Sequence, residues 1–281
     1  MNQPGPCPAS PPGNLFERAR ACLEQCDPQR KLLLTRQAAD QWRAGCLSLH
    51  ARDAPLTIDV PGRPQRPRLV PPRALARRRL NTEQGRAALL HAIAHIEFNA
   101  INLAWDAVYR FRGMPVRYYE DWVKVAHEEA YHFRLLRDRL RALGSDYGQF
   151  DAHDGLWQMA RRTAHDVLVR MALVPRVLEA RGLDVTPGMM ERLRAAGDDA
   201  SADILAVILR DEVGHVAIGS RWFRYACTSR GLEPRVTFSR LLEEYMGGRV
   251  KGPFHHEARL QAGFSAAELA DLELQQEDVP E

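Results

Sequence analysis

The chain has 281 residues, 27% of them charged, with 39 Lys and Arg against 36 Asp and Glu. That length allows one large domain or two small ones with a sizeable core, and a formal charge of +3 is too near neutral to mark a nucleic-acid binder by itself. Five cysteines without a CxxC pair argue against a disulfide framework and for a reducing compartment, so the cytoplasm is the expected location.

The opening residues 1–13 are rich in Pro and small polar residues and lack a basic segment followed by an apolar one. They are expected to be a disordered tail, not a secretory signal. No run approaches the roughly 18 consecutive apolar residues of a membrane span, so no membrane partner is expected. Residues 14–80 begin with two predicted helices broken at Asp27-Pro28, then pass into DAPLTIDVPGRPQRPRLVPPRALARRRL, an extended connector too proline-rich for a regular element.

From Asn81 the texture changes, and residues 81–230 predict four long helices. Asn81 and Gln84 have capping-box spacing, followed by Leu90, Ile93, Glu97, Ile101, Ala104 and Val108 at helical intervals up to Gly113-Met114-Pro115. A second helix, about Tyr118 to Leu143, carries Trp122, Ala126, Glu129, His132, Phe133 and Leu136 on one face and stops at Gly144. The third is expected over Leu156 to Arg181, with Leu168, Met171, Ala172, Pro175 and Glu179 on its stripe, a kink at Pro175 and an end at Gly182. A looser return, LDVTPGMMERLRAAGDD, leads to the fourth, about Ala200 to Thr228, with Leu205, Ile208, Glu212, His215, Gly219 and Phe223 aligned. Residues 231–281 add a C-terminal extension with helices near 235–247 and 265–277, the latter opened by the capping box Ser265-x-x-Glu268. No strand pattern is visible, so the expected class is all-α.

Each long helix places a glutamate in its apolar stripe: Glu97, Glu129, Glu179 and Glu212. Two are followed at i+3 by histidine, giving Glu129-x-x-His132 and Glu212-x-x-His215. Burying either group unpaired costs several kcal/mol, whereas a Glu from each of two helices plus Glu-x-x-His from each of two others is the ligand set of a di-iron or di-manganese carboxylate bundle. Three residues advance a helix by roughly 4.5 Å on nearly one face, so a Glu can reach between two metals while its His binds one. Chance supplies about 0.6 Glu-x-x-His matches in such a chain, so the placement matters more than the motif. Glu97 and Glu129 are 32 residues apart about Gly113, and Glu179 and Glu212 are 33 apart. The chain thus repeats one pattern as two hairpins that could face each other across a metal pair.

The segments AHIEFNAINLAWDAVYRF, HEEAYHFRLL, RMALVPRVLEARGLD and DEVGHVAIG resemble the motifs of the ferritin-like superfamily, and specifically the bacterial domain-of-unknown-function family 455. The resemblance implies a ferritin-like four-helix bundle with Glu97, Glu129, His132, Glu179, Glu212 and His215 as ligands of two iron ions, with manganese or a mixed iron/manganese pair as alternatives. Glu129 and Glu212 would bridge, Glu97 and Glu179 would be terminal, and His132 and His215 would hold one metal each. The expected function is an oxygen- or peroxide-dependent oxidoreductase, a hydroxylase or oxidase, acting on a small-molecule substrate, with an electron-donor protein as a candidate partner. A redox-protective or metal-storage protein and a structural metal bundle would use the same ligands. Ala100, Ala104, Ala172 and Gly219 suggest room for a substrate, although small residues also permit close helix approach.

Weaker signals have plainer readings. Asp106 and Asp166 could support the ligating histidines or form ordinary helix ion pairs, Asp166 with Arg170. His91 and His95, one turn apart but off the Glu97 stripe, read as polar-face residues, and Cys22 and Cys26 as small apolar fillers. The basic run RPQRPRLVPPRALARRR could clamp RNA phosphates, but without interleaved aromatics a connector lying on an acidic-faced bundle is the preferred reading.

Overall fold

Asn14 and Asp27 start the first two helices of the computed structural model, which describes residues 13–50, 53–76, 78–248 and 250–277. The expected disordered tail lies almost wholly outside these residues. Asn14 accepts from the backbone N–H groups of Phe16 and Glu17 to open α1 (Leu15–Glu24), and Asp27 accepts from Arg30 to open α2 (Pro28–Arg43), with Pro28 in the first turn where no N–H is needed. Two short strands, β1 (Gly13–Asn14) and β2 (Leu47–Ser48), pair in parallel. They escape the sequence reading because two residues cannot display an alternation. The connector is irregular apart from one turn of 3₁₀ helix, Pro72–Ala74, and a bridge from Leu69 to Ala152.

The chain divides into two compact units, Met1–Trp157 and Gln158–Glu281. In the first, α3 (Glu83–Arg110) and α4 (Val116–Ala142) form an antiparallel hairpin against which α1 and α2 pack. The cap of α3 is Thr82, whose hydroxyl accepts from Gly85 N at 3.0 Å, one residue beyond the expected Asn81. The α4 terminus is as expected: Gly144 adopts φ 69° and Ser145 N donates back to Leu140 O at 2.9 Å, the Schellman arrangement that a left-handed glycine permits. Two buried indoles are satisfied, Trp105 Nε1 donating to Thr35 Oγ1 at 3.0 Å and Trp157 Nε1 to Asp59 O at 3.0 Å. By length and composition α3 could cross a membrane, but 78% of its most apolar stretch is buried by the protein itself, as in a core helix of a soluble protein.

The second unit differs most from expectation. After α5 (Gly155–Arg162), which spans the boundary, α6 (Val167–Leu173) runs into a π-helical turn, Val174–Glu179, and then into α7 (Ala180–Ala195). The predicted kink at Pro175 takes the form of this turn, a common way to absorb a missing N–H. The helix does not end at Gly182, and the "looser return" is itself helical. Leu183, Thr186 and Leu193 bury one face of α7, which packs on α8 (Asp199–Thr228), and this packing outweighs the breaking tendency of Gly182 and Pro187. Glu179 therefore stands in mid-rod, not near a helix end. The extension holds α9 (Pro234–Met246), α10 (His256–Gln261), which lacks a sequence signal, and α11 (Ala266–Glu277). Its capping box is complete: Ser265 N donates to Glu268 Oε2 at 2.8 Å and Glu268 N to Ser265 Oγ at 3.1 Å.

At Gly219 α8 packs closely against the π-turn. A Cβ there would lie 2.3 Å from Cβ and Cγ of Pro175, so the proline ring fills the space that the sequence reading offered to a substrate. Gly219→Ala should cost about 1–3 kcal/mol through overpacking, measured by denaturant unfolding; an unchanged midpoint would show that α8 and the π-turn are less closely fitted.

Candidate metal centre

On α3 the apolar periodicity that buries Ile93, Ala94, Phe98 and Ile101 buries Glu97 with them. On α4, Glu129 and His132 share the stripe of Trp122, Ala126, Phe133 and Leu136, and both are fully buried. The turn between Arg110 and Val116 folds α4 back on α3 and brings the three side chains together. His132 Nδ1 lies 3.3 Å from Glu97 Oε2 and 3.4 Å from Glu129 Oε2, and one donor atom of each residue lies within 4.8 Å of those of the others. Two hard carboxylates and an imidazole, buried and convergent, suit a transition-metal ion such as iron or manganese. Burial works against an imidazolium at His132, but the hydrogen bonds and charges of Glu129 and Glu97 outweigh it and lift His132 to about 11. In the metal-free protein a proton on His132 thus takes the place of the cation.

The second unit repeats part of this arrangement on α8. Glu212 and His215 are buried, with Glu212 Oε1 3.3 Å from His215 Nδ1. Glu179 is half-buried at the last position of the π-turn. Across the pair, Pro175 in the π-turn lies against Gly219 of α8.

The weaker candidates resolve plainly. Asp106 is buried and receives Arg110 through Nε at 3.0 Å and Nη2 at 2.6 Å, a helix ion pair. Asp166 caps α6 through Leu168 N at 2.8 Å and pairs with Arg230 at 2.6 and 2.7 Å, not with Arg170. His91 and His95 are not solvent-facing. Both are buried beneath the loop after α4, where Gly148 N donates to His91 Nε2 at 2.9 Å, and His95 Nε2 donates to His153 O while Nδ1 accepts from Tyr147 at 2.8 Å. Burial lowers both imidazoles to about 4, so they are neutral anchors for that loop. Cys22 is a buried filler, whereas Cys26 is exposed; these and Cys227 are free thiols, and Cys46 is disulfide-bonded, so the cysteines do not uniformly follow the reduced-thiol reading. In the basic connector Arg68 pairs with Asp151 at 2.6 Å and Arg78 lies over Phe150, which ties it to the α4–α5 loop.

Sequence reasoning missed Lys31, fully buried on α2, whose Nζ donates to the carbonyls of Cys22 and Leu23 at the end of α1 and to Asn102 Oδ1. Its spacing to the buried Thr35 and Ala38 was the available signal, since it puts a lysine in an apolar stripe. Burial lowers it to about 7.

A mostly helical chain with buried Glu97, Glu129 and His132 on one helical hairpin and buried Glu212 and His215 on α8 is the class defined so far. The sequence profile of a family described as "Protein of unknown function (DUF455)" matches residues 24–270. An uncharacterized protein of Haemophilus influenzae (strain ATCC 51907 / DSM 11121 / KW20 / Rd) is 43% identical over 264 residues, covering 90% of this chain and 92% of that one. The chain therefore belongs to the DUF455 family. No solved structure matches it.

Because His132 must lose its proton to act as a ligand, and is protonated below about 11 in the metal-free protein, metal binding at neutral pH should release a proton. Affinity should therefore rise with pH through the neutral range. Calorimetric titration in buffers of different ionisation enthalpy would reveal the proton; no release would mean that His132 is not displaced from its carboxylates.

Proposed function

We propose that this protein is a ferritin-like dimetal-carboxylate bundle and an oxygen- or peroxide-dependent oxidoreductase acting on a small organic substrate. The observation that carries this is the burial and convergence of Glu97, Glu129 and His132 within 4.8 Å, in a chain that repeats the Glu-x-x-His pair on α8. On this reading Glu97, Glu129, Glu179 and Glu212 would supply carboxylates, and His132 and His215 imidazoles, to hold two metals, the ligand set of a dimetal bundle. Bound iron or manganese would supply redox chemistry with dioxygen or peroxide. The chain's own part is electrostatic and steric. The carboxylates balance the metal charge, the neutral imidazoles fix one coordination direction each, and the apolar stripes around them exclude water.

The filling of Gly219 by Pro175 removes one of the small residues that spoke for substrate space, and it favours a second reading in which the same ligands serve redox protection or storage. Anaerobic loading with Fe(II) should give about two ions per chain, and the loaded protein should consume dioxygen faster than free aqueous iron does. His132→Ala should abolish that consumption. A single zinc, or no metal, in reconstituted protein would overturn the dimetal reading, and uptake of many irons per chain on aerobic loading would establish storage instead.

A further inference from the structure

The C-terminal extension grips the stretch that carries Glu179 from both sides. Three residues before it, within the π-helical turn, Arg176 is buried and donates from Nη2 to Glu268 Oε1 on α11 at 2.5 Å. Its guanidinium carbon lies 4.8, 4.2 and 4.5 Å from the ring centroids of Phe223, Phe238 and Phe264. Nε and Nη1 have no hydrogen-bond partner, so these aromatic faces supply the remaining contacts. Glu268 is in turn fixed by the Ser265 cap. Five residues after Glu179, Asp184 on α7 accepts both arms of the Arg259 fork from α10, at 2.8 Å from Nε and 2.7 Å from Nη2, and also the His255 N–H at 2.9 Å. Both side chains of the Arg259–Asp184 pair are 0% exposed.

Buried ion pairs are poor devices for stability, because desolvation offsets their attraction and well-packed apolar replacements are often as stable. A fixed guanidinium fork supplies directional geometry instead. Geometry is what this stretch lacks by itself, since a π-turn is an uncommon, weakly determined conformation, while a ligand must be held within roughly 0.5 Å of its productive position. We propose that the C-terminal extension is a positioning brace, in which Arg176–Glu268 and Arg259–Asp184 lock the π-turn and the helix after it so that Glu179 is presented to the metal pair. This rests on the dimetal reading above. It makes Arg176, Glu268, Arg259 and Asp184 positioning residues that never touch the metal.

The test is the double variant Arg176→Met with Glu268→Leu, titrated anaerobically with Fe(II) alone and followed in parallel by thermal melting and amide hydrogen exchange. The brace predicts an unchanged or higher melting temperature, a first metal bound as in the wild type, a second bound roughly 10- to 100-fold more weakly, and faster exchange confined to residues 174–184. Two metals bound with wild-type affinity would overturn it. If the double variant does not fold, Arg259→Lys keeps the charge but removes the fork, and the same selective weakening is expected; undiminished affinity for the second metal would again overturn the proposal. A wild-type protein that binds no metal pair sinks the dimetal reading, and the exchange data then separate the two ideas, because unaltered protection of residues 174–184 in the variants excludes the brace whether or not metal binds.

Discussion

Charge inside helices is the constraint around which the rest of the molecule is arranged. Glu97, Glu129 and Glu212 and their histidines occupy positions that helical periodicity assigns to the core, and a buried ionised group is tolerated only with a compensating partner. In the first unit the geometry supplies one internally: His132 stands between two carboxylates at 3.3 and 3.4 Å and is driven to hold a proton. Two carboxylates and one imidazolium still leave that trio with excess negative charge. A divalent cation would compensate it more fully than a proton can.

The hairpin is the device that makes such a trio from distant residues. Glu97 and Glu129 are equidistant from Gly113 in sequence, so closing the turn brings them to one level without any fine adjustment, and the regular helices α3 and α4 fix their faces. Phe98, Phe133 and Tyr147, the first two adjoining Glu97 and His132 in sequence, pack around one another with ring centroids 5.0 to 5.4 Å apart, and Tyr147 connects this aromatic group to His95. The loop after α4, anchored by His91 and His95, thereby supports α3 and α4 from outside.

What the sequence made legible was periodic. The apolar stripes of α3, α4 and α8, the break at Asp27-Pro28, the Gly144 terminus and the Ser265–Glu268 cap each follow from local rules that tertiary structure did not override. The errors lie where long-range packing decides. Gly182 and Pro187 read as breakers, yet burial of Leu183 and Leu193 carries α7 through them. His91 and His95 sit off the Glu97 stripe, and only the return of the chain at residues 147–153 buries them. Asp166 has Arg170 one turn away, but Arg230, 64 residues on, offers a two-pronged contact. No local pattern announces a partner at that distance. The convergence of Glu97, Glu129 and His132 follows from two regular helices joined by one short turn.

The two hairpins place their glutamates by different physical means, and this bears on two of the buried arginines, Arg176 and Arg259. In α3 and α4 an unbroken 3.6-residue period determines which way Glu97 and Glu129 face. The π-turn before α7 inserts extra winding, so the direction of Glu179 relative to the stripe of Leu168, Met171 and Ala172 no longer follows from periodicity, and a small change in that winding would swing it off the face. Pro175 initiates the turn and Gly219 admits it, but neither sets how far it winds. Something outside the helix must do so. Arg176 and Asp184 lie on either side of Glu179, and each is held by an oriented contact from the C-terminal extension.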